Sequence, residues 1–328
     1  MFFGANNIFP FFDAGSLNGD SMIFESPGVN SSNGWLSWEK PQGKSIIIIK
    51  LIGSGGGGGG GASGATTTAR GGGGSGACAS MAVVAFLAKD LPDILKVYVA
   101  PPGLGGAAGN AGGNGAISYV AVGLGIGGGT VNPNLIIPSG AGNAGGGGAG
   151  TSGAAGAAGT VPTITAKSNM GWAGGPALSV NFTVGLVGVI GGAQTGANGT
   201  AISNAWSNYV LTPGGSGAGV NSVGTGFAGG NIQLANGFDL PDMAFKANPV
   251  LAGGVAGSAS AAGDGQPGII CKRPFVMTGG TGGGSSDGST GGQGGRGAYG
   301  CGGGGGGGGT TGGRGGDGGP GLVEIIAI

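Results

Sequence analysis

Histidine is absent from the 328 residues. Its absence removes the commonest general base, the usual serine and cysteine triads, and most catalytic metal sites. Charge is scarce too: 12 basic and 12 acidic residues cancel to zero. A nucleic-acid footprint needs a basic face, and four arginines do not make one; the RGG triplets at Arg70 and Arg314 are expected by chance in so glycine-rich a chain. The three cysteines, Cys78, Cys271 and Cys301, have no CxxC spacing, so neither a disulfide framework nor a zinc site is expected. They read as buried thiols, with a Cys271–Cys301 bridge as the alternative. No apolar run approaches the ~18 residues of a membrane span, and no basic start precedes an apolar core, so neither a membrane segment nor a signal peptide is expected.

What is abundant is glycine, at 93 residues, joined by 16 prolines. Such a composition alone suggests disorder, but disorder also calls for low hydrophobicity and high charge. With 39% hydrophobic residues and a mean hydropathy of +0.27, this chain has apolar surface to bury. The organising stretch is 279–328, where Gly302–Gly309 are consecutive glycines and Leu322, Val323, Ile325, Ile326 and Ile328 close the chain. A glycine run is costly to order and normally reads as a linker. A run anchored by an apolar strand is not free. The alternative is a polyproline-II-like helix of three residues per turn, whose backbone groups point outward and bond neighbouring helices once no Cβ keeps them apart. Gly302, Gly305 and Gly309 are the structural residues expected to sit in such contacts, and Pro320 and Gly321 are expected to launch the final strand. Replacing Gly305 by valine is expected to disrupt the packing.

Along the chain, residues 1–34 carry six phenylalanines and are expected to pack on the body, a partner chain or a particle. Residues 35–159 read as the first part of a glycine-rich β domain. Within them Ser45–Leu51 is predicted as a buried strand, Ile94–Val99 as a half-exposed strand and Ala116–Val122 as another, while Met81–Ala88 suits a strand or a short helix. Gly153, Gly156 and Gly159 repeat every three residues. Residues 160–275 are predicted as a β-rich insertion, with strands at Ala177–Val189 and Ala201–Leu211 and side-chain-rich loops. Residues 276–328 are expected to hold the glycine helices and the closing strand.

The search for chemistry is mostly negative. Asp239 and Asp242 flank a Leu-Pro turn and read as solvated rather than as an acid–base pair. Gly43-Lys44-Ser45 lacks the earlier glycine of a phosphate loop, whose place Trp38 occupies. Gly123, Gly125 and Gly128 match GxGxxG without an acidic residue for a ribose. No catalytic, cofactor or metal residue is assigned. Trp172, Trp206, Tyr209 and Tyr299 could cover sugar faces or could be core, and Trp206 and Tyr209 are the candidate receptor-binding rings.

The order of WLSWEKPQGKSIIIIKLIGSGGGGGGG, GGGGSGACASMAVVAFL, LKVYVAPPGLGGAAGNAGGNGAISYV and GGGGGGGGTTGGRGGDGGPGLVEIIAI resembles the glycine-rich domain of bacteriophage tail-fibre and other virion proteins. The resemblance implies an all-β fold, a β-sandwich-like body with a layer of packed polyglycine-II helices, and a place in a virion assembled in the host cytoplasm. Coiled-coil heptads and shaft repeats are missing, so a short appendage is expected. The function expected is non-enzymatic: a short tail-fibre or fibre-tip protein recognising a host glycan or outer-membrane protein. The alternatives are a capsid decoration or head-fibre protein, and a cellular glycine-rich matrix protein. Partners expected are other virion proteins through residues 1–34 and two further copies in a homotrimer, with no nucleic acid, cofactor or membrane insertion.

Overall fold

The run of isoleucines at 46–49 is explained by two buried faces. Ile47, Ile49 and Leu51 enter one apolar cluster and Ile48 and Ile52 another, so the strand needs no polar alternation. The computed structural model describes residues 20–26, 35–122, 135–138, 179–183, 191, 196–202, 211–233, 250–257, 260–271 and 276–328. Among them the strands are β1 (Asp20–Glu25), β2 (Trp35–Glu39), β3 (Ile46–Ile52), β4 (Met81–Leu87), β5 (Ile94–Tyr98), β6 (Tyr119–Ala121), β7 (Leu135–Pro138), β8 (Ser179–Thr183), β9 (Ile232–Gln233), β10 (Val250–Leu251), β11 (Ile270–Cys271), β12 (Val276–Met277) and β13 (Leu322–Ala327). The described chain is all-β, with one short 3-10 turn at Ala88–Asp90.

A five-stranded antiparallel sheet runs β1-β13-β3-β4-β8, and a four-stranded one runs β2-β5-β6-β7. The closing strand pairs directly with β3, Leu322 opposite Ile52 and Ala327 opposite Ile47. Between the sheets lies one core, in which Ile47, Ile49, Val323 and Ile325 meet Trp38, Leu95, Val97 and Val120. On the far face of the five-stranded sheet, Ile48, Ile52, Leu322 and Ile326 pack with Cys78, Leu211, Met277, Ala298 and Cys301. Cys78 and Cys301 are both buried there as thiols, and burial raises the Cys301 thiol well above its usual range, Cys78 beside it adding to the effect.

Two expectations are sharpened. Met81–Leu87 is a strand, because pairing with β3 lets Val83 and Val84 bury on opposite faces. The phenylalanine-rich start is not wholly an attachment segment: residues 20–25 form the edge strand β1, whose Phe24 is in the core. The Gly153–Gly159 repeat lies outside the described residues, as do most of 177–189 and 203–210.

Beyond Ile52 the chain leaves the sheets as glycine-rich extended segments, bonded with a repeat of three. Gly55, Gly58 and Gly61 donate to Gly319, Gly316 and Gly313; Gly56, Gly59 and Ala62 donate to Ala77, Gly74 and Gly71; Gly57 and Gly60 donate to Gly113 and Asn110, all at 2.8–3.0 Å. Each segment thus turns a different edge to a different neighbour every third residue.

Segment 302–309 sits at the centre. Its N–H groups donate in rotation to 212–218, 56–62 and 292–295, and its carbonyls accept in rotation from 280–286, 73–76 and 313–316. Six segments therefore surround it, and every N–H and C=O from 302 to 309 has a partner. That complete satisfaction lets a buried stretch exist with no side chains at all. An ideal Cβ on Gly305 would lie 2.0 Å from Gly73 O, and one on Gly302 1.9 Å from Gly76 O, so glycine is required by close approach. Segment 211–230, from the stretch expected as a side-chain-rich insertion, is itself part of this bundle.

Candidate functional site

The topology gives the bundle two unlike ends. Segments leave β3, Leu211, Met277 and Cys301 at the sheet end, and return into β4 and β13, so the turns between outgoing and returning segments gather at the other end. These turns include 63–69, 107–110, 221–225, 287–290 and 310–311. Three of them touch: Thr310 N donates to Ser289 O at 2.8 Å, Gly291 N to Thr311 O at 2.9 Å, and Thr67 N to Asp287 Oδ1 at 2.9 Å.

A buried ion pair staples 63–69 to 287–290. Arg70 is 2% exposed; its guanidinium pairs with Asp287 Oδ1 and donates to Thr68 O at 3.0 Å, Gly64 O at 3.1 Å and Asp287 O at 3.2 Å. The same Asp287 carboxylate accepts the N–H of Thr67 at 2.9 Å. Thr67 has φ +59°, a left-handed conformation disfavoured for a β-branched residue. The strain costs on the order of 1–2 kcal/mol and persists because the Asp287 bond over-determines it. Strained, over-determined backbone is a common property of binding surfaces.

The surface so held is hydroxyl-rich. Thr66, Thr67, Thr68, Ser222, Thr225, Thr290 and Thr311 are exposed, as is Val223, at 77%. Asp287 is turned inward, its side chain 13% exposed against Arg70. Thr67 Oγ1 donates to Thr66 O at 2.6 Å and Thr68 Oγ1 to Ala65 O, so those two hydroxyls face solvent as acceptors, and the tip adds one apolar side chain.

Nothing in the sequence pairs Arg70 with Asp287, 217 positions apart. A signal for the turns exists: Thr66-Thr67-Thr68 and Thr310-Thr311 each interrupt two glycine runs. Polar breaks in such runs mark where a segment must reverse.

Trp206, Tyr209 and Trp172 lie outside the described residues. Tyr299 belongs to the sheet end, in the turn at Gly300, and not to the tip; burial, then a hydrogen bond with Glu25, pushes its phenol up to about 12. Gly302, Gly305 and Gly309 lie in the central segment. At the start of β13, Pro320 O accepts from Gly300 N at 2.8 Å and Gly321 N donates to Ala100 O at 2.9 Å. A Cβ on Gly321 would fall 2.4 Å from Ser118 Oγ, so the Pro-Gly step feeds the strand through a gap that admits no side chain.

No protein-family model matches this chain, and no curated protein does. Among the described residues, no group of three or more Cys, Asp or Glu could hold a metal, and no helix is long and apolar enough to cross a membrane.

Proposed function

We propose that this chain is a non-enzymatic bacteriophage virion protein, a short tail-fibre or fibre-tip component, whose hydroxyl-rich tip recognises the host surface. The glycine segments are read as polyglycine-II helices forming a rigid mount between sheets and tip. The three-residue repeat of hydrogen bonds supports that reading, as does the ring of six segments around 302–309. The observation that carries the function is the contrast between the two ends. One end is fixed by an apolar sheet core; the other collects turns that can vary without disturbing the bundle, stapled by Arg70 and Asp287.

Attachment to the particle is assigned to the phenylalanine-rich start, with repeated copies in a homotrimer supplying avidity to weak sites. The test is competition: purified protein added to host cells should block phage adsorption, and replacing Thr66, Thr68 and Val223 by lysine should abolish the block with the fold intact. Full blocking by that variant would remove the tip from the reading. No cell binding by the native protein would leave a capsid decoration or head-fibre role in its place.

A further inference from the structure

The outer face of the four-stranded sheet carries a row of rings that neither the core nor the tip uses. Antiparallel register sets Trp35 opposite Tyr98 and Tyr98 opposite Tyr119, across β2, β5 and β6. Val97 and Val120, one residue away in their strands, point into the core with no exposure, so alternation places the rings on the opposite face. Trp38, three residues from Trp35, is in the core for the same reason.

The ring centroids are 5.5 Å apart between Trp35 and Tyr98 and 5.7 Å between Tyr98 and Tyr119, with planes tilted 47° and 40°. The result is a stepped strip of three rings, each partly exposed. In the adjacent row, Lys96 Nζ donates to Ser37 Oγ at 2.6 Å, leaving further ammonium N–H groups and the Ser37 hydroxyl beside the strip. Burial, with Tyr98 close by, raises the Tyr119 phenol, which keeps its hydroxyl a donor.

Cross-strand ring pairs stabilise a sheet modestly, which accounts for two rings touching. It does not account for three partly exposed rings aligned in one row and bordered by a hydroxyl and an ammonium. Stacked rings on a sheet also suit single-stranded nucleic acid, but that ligand needs a cationic groove. The chain has zero net charge, and these two rows pair the rings with a serine and a lysine only. Uncharged rings with an apolar face and hydroxyl edges fit better: the face stacks on the indole and phenols, and the hydroxyls bond Ser37, Lys96 and Tyr119. We propose that Trp35, Tyr98 and Tyr119 form a platform on which a neutral oligosaccharide stacks, with Ser37 and Lys96 as its polar edge. The site is separate from the tip and holds whether or not the chain is a virion protein.

The experiment applies the labelled full chain to an array of neutral hexose and hexosamine oligosaccharides, then titrates the strongest ligand and, separately, oligo-dT, following tryptophan fluorescence. The expected result is saturable glycan binding that is insensitive to salt and weakened roughly tenfold by Trp35→Leu or Tyr98→Leu, the scale of one lost ring stack. Tyr98→Phe should keep most of the affinity. Should the leucine variants melt early, saturation transfer on the native chain decides instead: transfer from ring protons to sugar protons supports the platform, and transfer from other regions alone overturns it. The proposal is also overturned if no neutral glycan binds, if folded leucine variants bind as well as the native chain, or if oligo-dT binds with a steep salt dependence in place of sugar.

Discussion

Adding one methyl at Gly305 should cost the protein much of its stability, and adding the same methyl three residues later should cost little. Gly305 donates to Gly215 O at 3.0 Å and accepts from Gly283 N at 2.9 Å. A Cβ there would lie 2.0 Å from Gly73 O and 2.6 Å from Gly217 N, against a relaxed separation of roughly 3.5 Å. These are backbone atoms of two buried segments, so relief requires moving a segment by more than an ångström. Such a shift breaks the bonds Gly73 N to Gly306 O and Gly217 N to Gly73 O, at 2.8 and 3.0 Å. Each bond lost in the interior costs about 1–3 kcal/mol, so Gly305→Ala should destabilise by about 3–5 kcal/mol, a large part of a typical domain's 5–15. At Gly308 the nearest atom to a new Cβ is Arg70 O at 3.1 Å, which a shift of tenths of an ångström relieves. The lower entropy of the unfolded alanine chain offsets about 0.4–1 kcal/mol, so Gly308→Ala should fall within about 1 kcal/mol of the native protein. Denaturant unfolding of both variants decides the matter. A glycine run acting as a flexible linker would respond equally weakly at both positions, and equal midpoints would refute the packing argument. Gly305→Val should be worse than alanine, and amides of 302–309 should resist hydrogen exchange.

Asp287→Asn strips the buried Arg70 guanidinium of its counter-charge, and should cost about 3–5 kcal/mol while raising proteolytic nicking in 63–69, measured by unfolding and limited digestion. Lys50, 8% exposed and 3.6 Å from Glu324, has its pKa lowered to about 8, chiefly by burial and despite Glu324. Its folded pKa lies below the unfolded 10.5, so the unfolded chain binds more protons between those values and stability should rise with pH across that window. The gain is on the order of 3 kcal/mol and should vanish in Lys50→Met; Tyr299, with its pKa raised by burial, works in the opposite sense above pH 10. Deleting residues 1–19 should abolish oligomerisation or particle attachment in light scattering while the melting midpoint stays put. Deleting 1–34 should lower the midpoint as well, because β1 and Phe24 go with it.

The sequence by itself determined the secondary-structure class, a buried strand over 45–51 that the structure places at Ile46–Ile52, the closing strand and the need for glycine to bond through its backbone. These follow from local chemistry: four successive isoleucines bounded by a Pro-Gln-Gly turn and a glycine run favour a strand buried on both faces, and a residue without Cβ has only its amide to contribute. It could not decide which segments touch, because every glycine run carries the same hydrogen-bonding groups and any could neighbour any other. Only the tertiary structure put 302–309 at the centre of six segments, drew 211–230 into the bundle from a stretch that reads as an insertion, and made β1 an edge strand. The proposed recognition surface was hidden for the same reason. Thr67, Arg70 and Asp287 meet only because segments starting at opposite ends of the chain reverse at the same height above the sheet. Likewise Trp35, Tyr98 and Tyr119 become one strip only through strand register, which no spacing along the chain encodes.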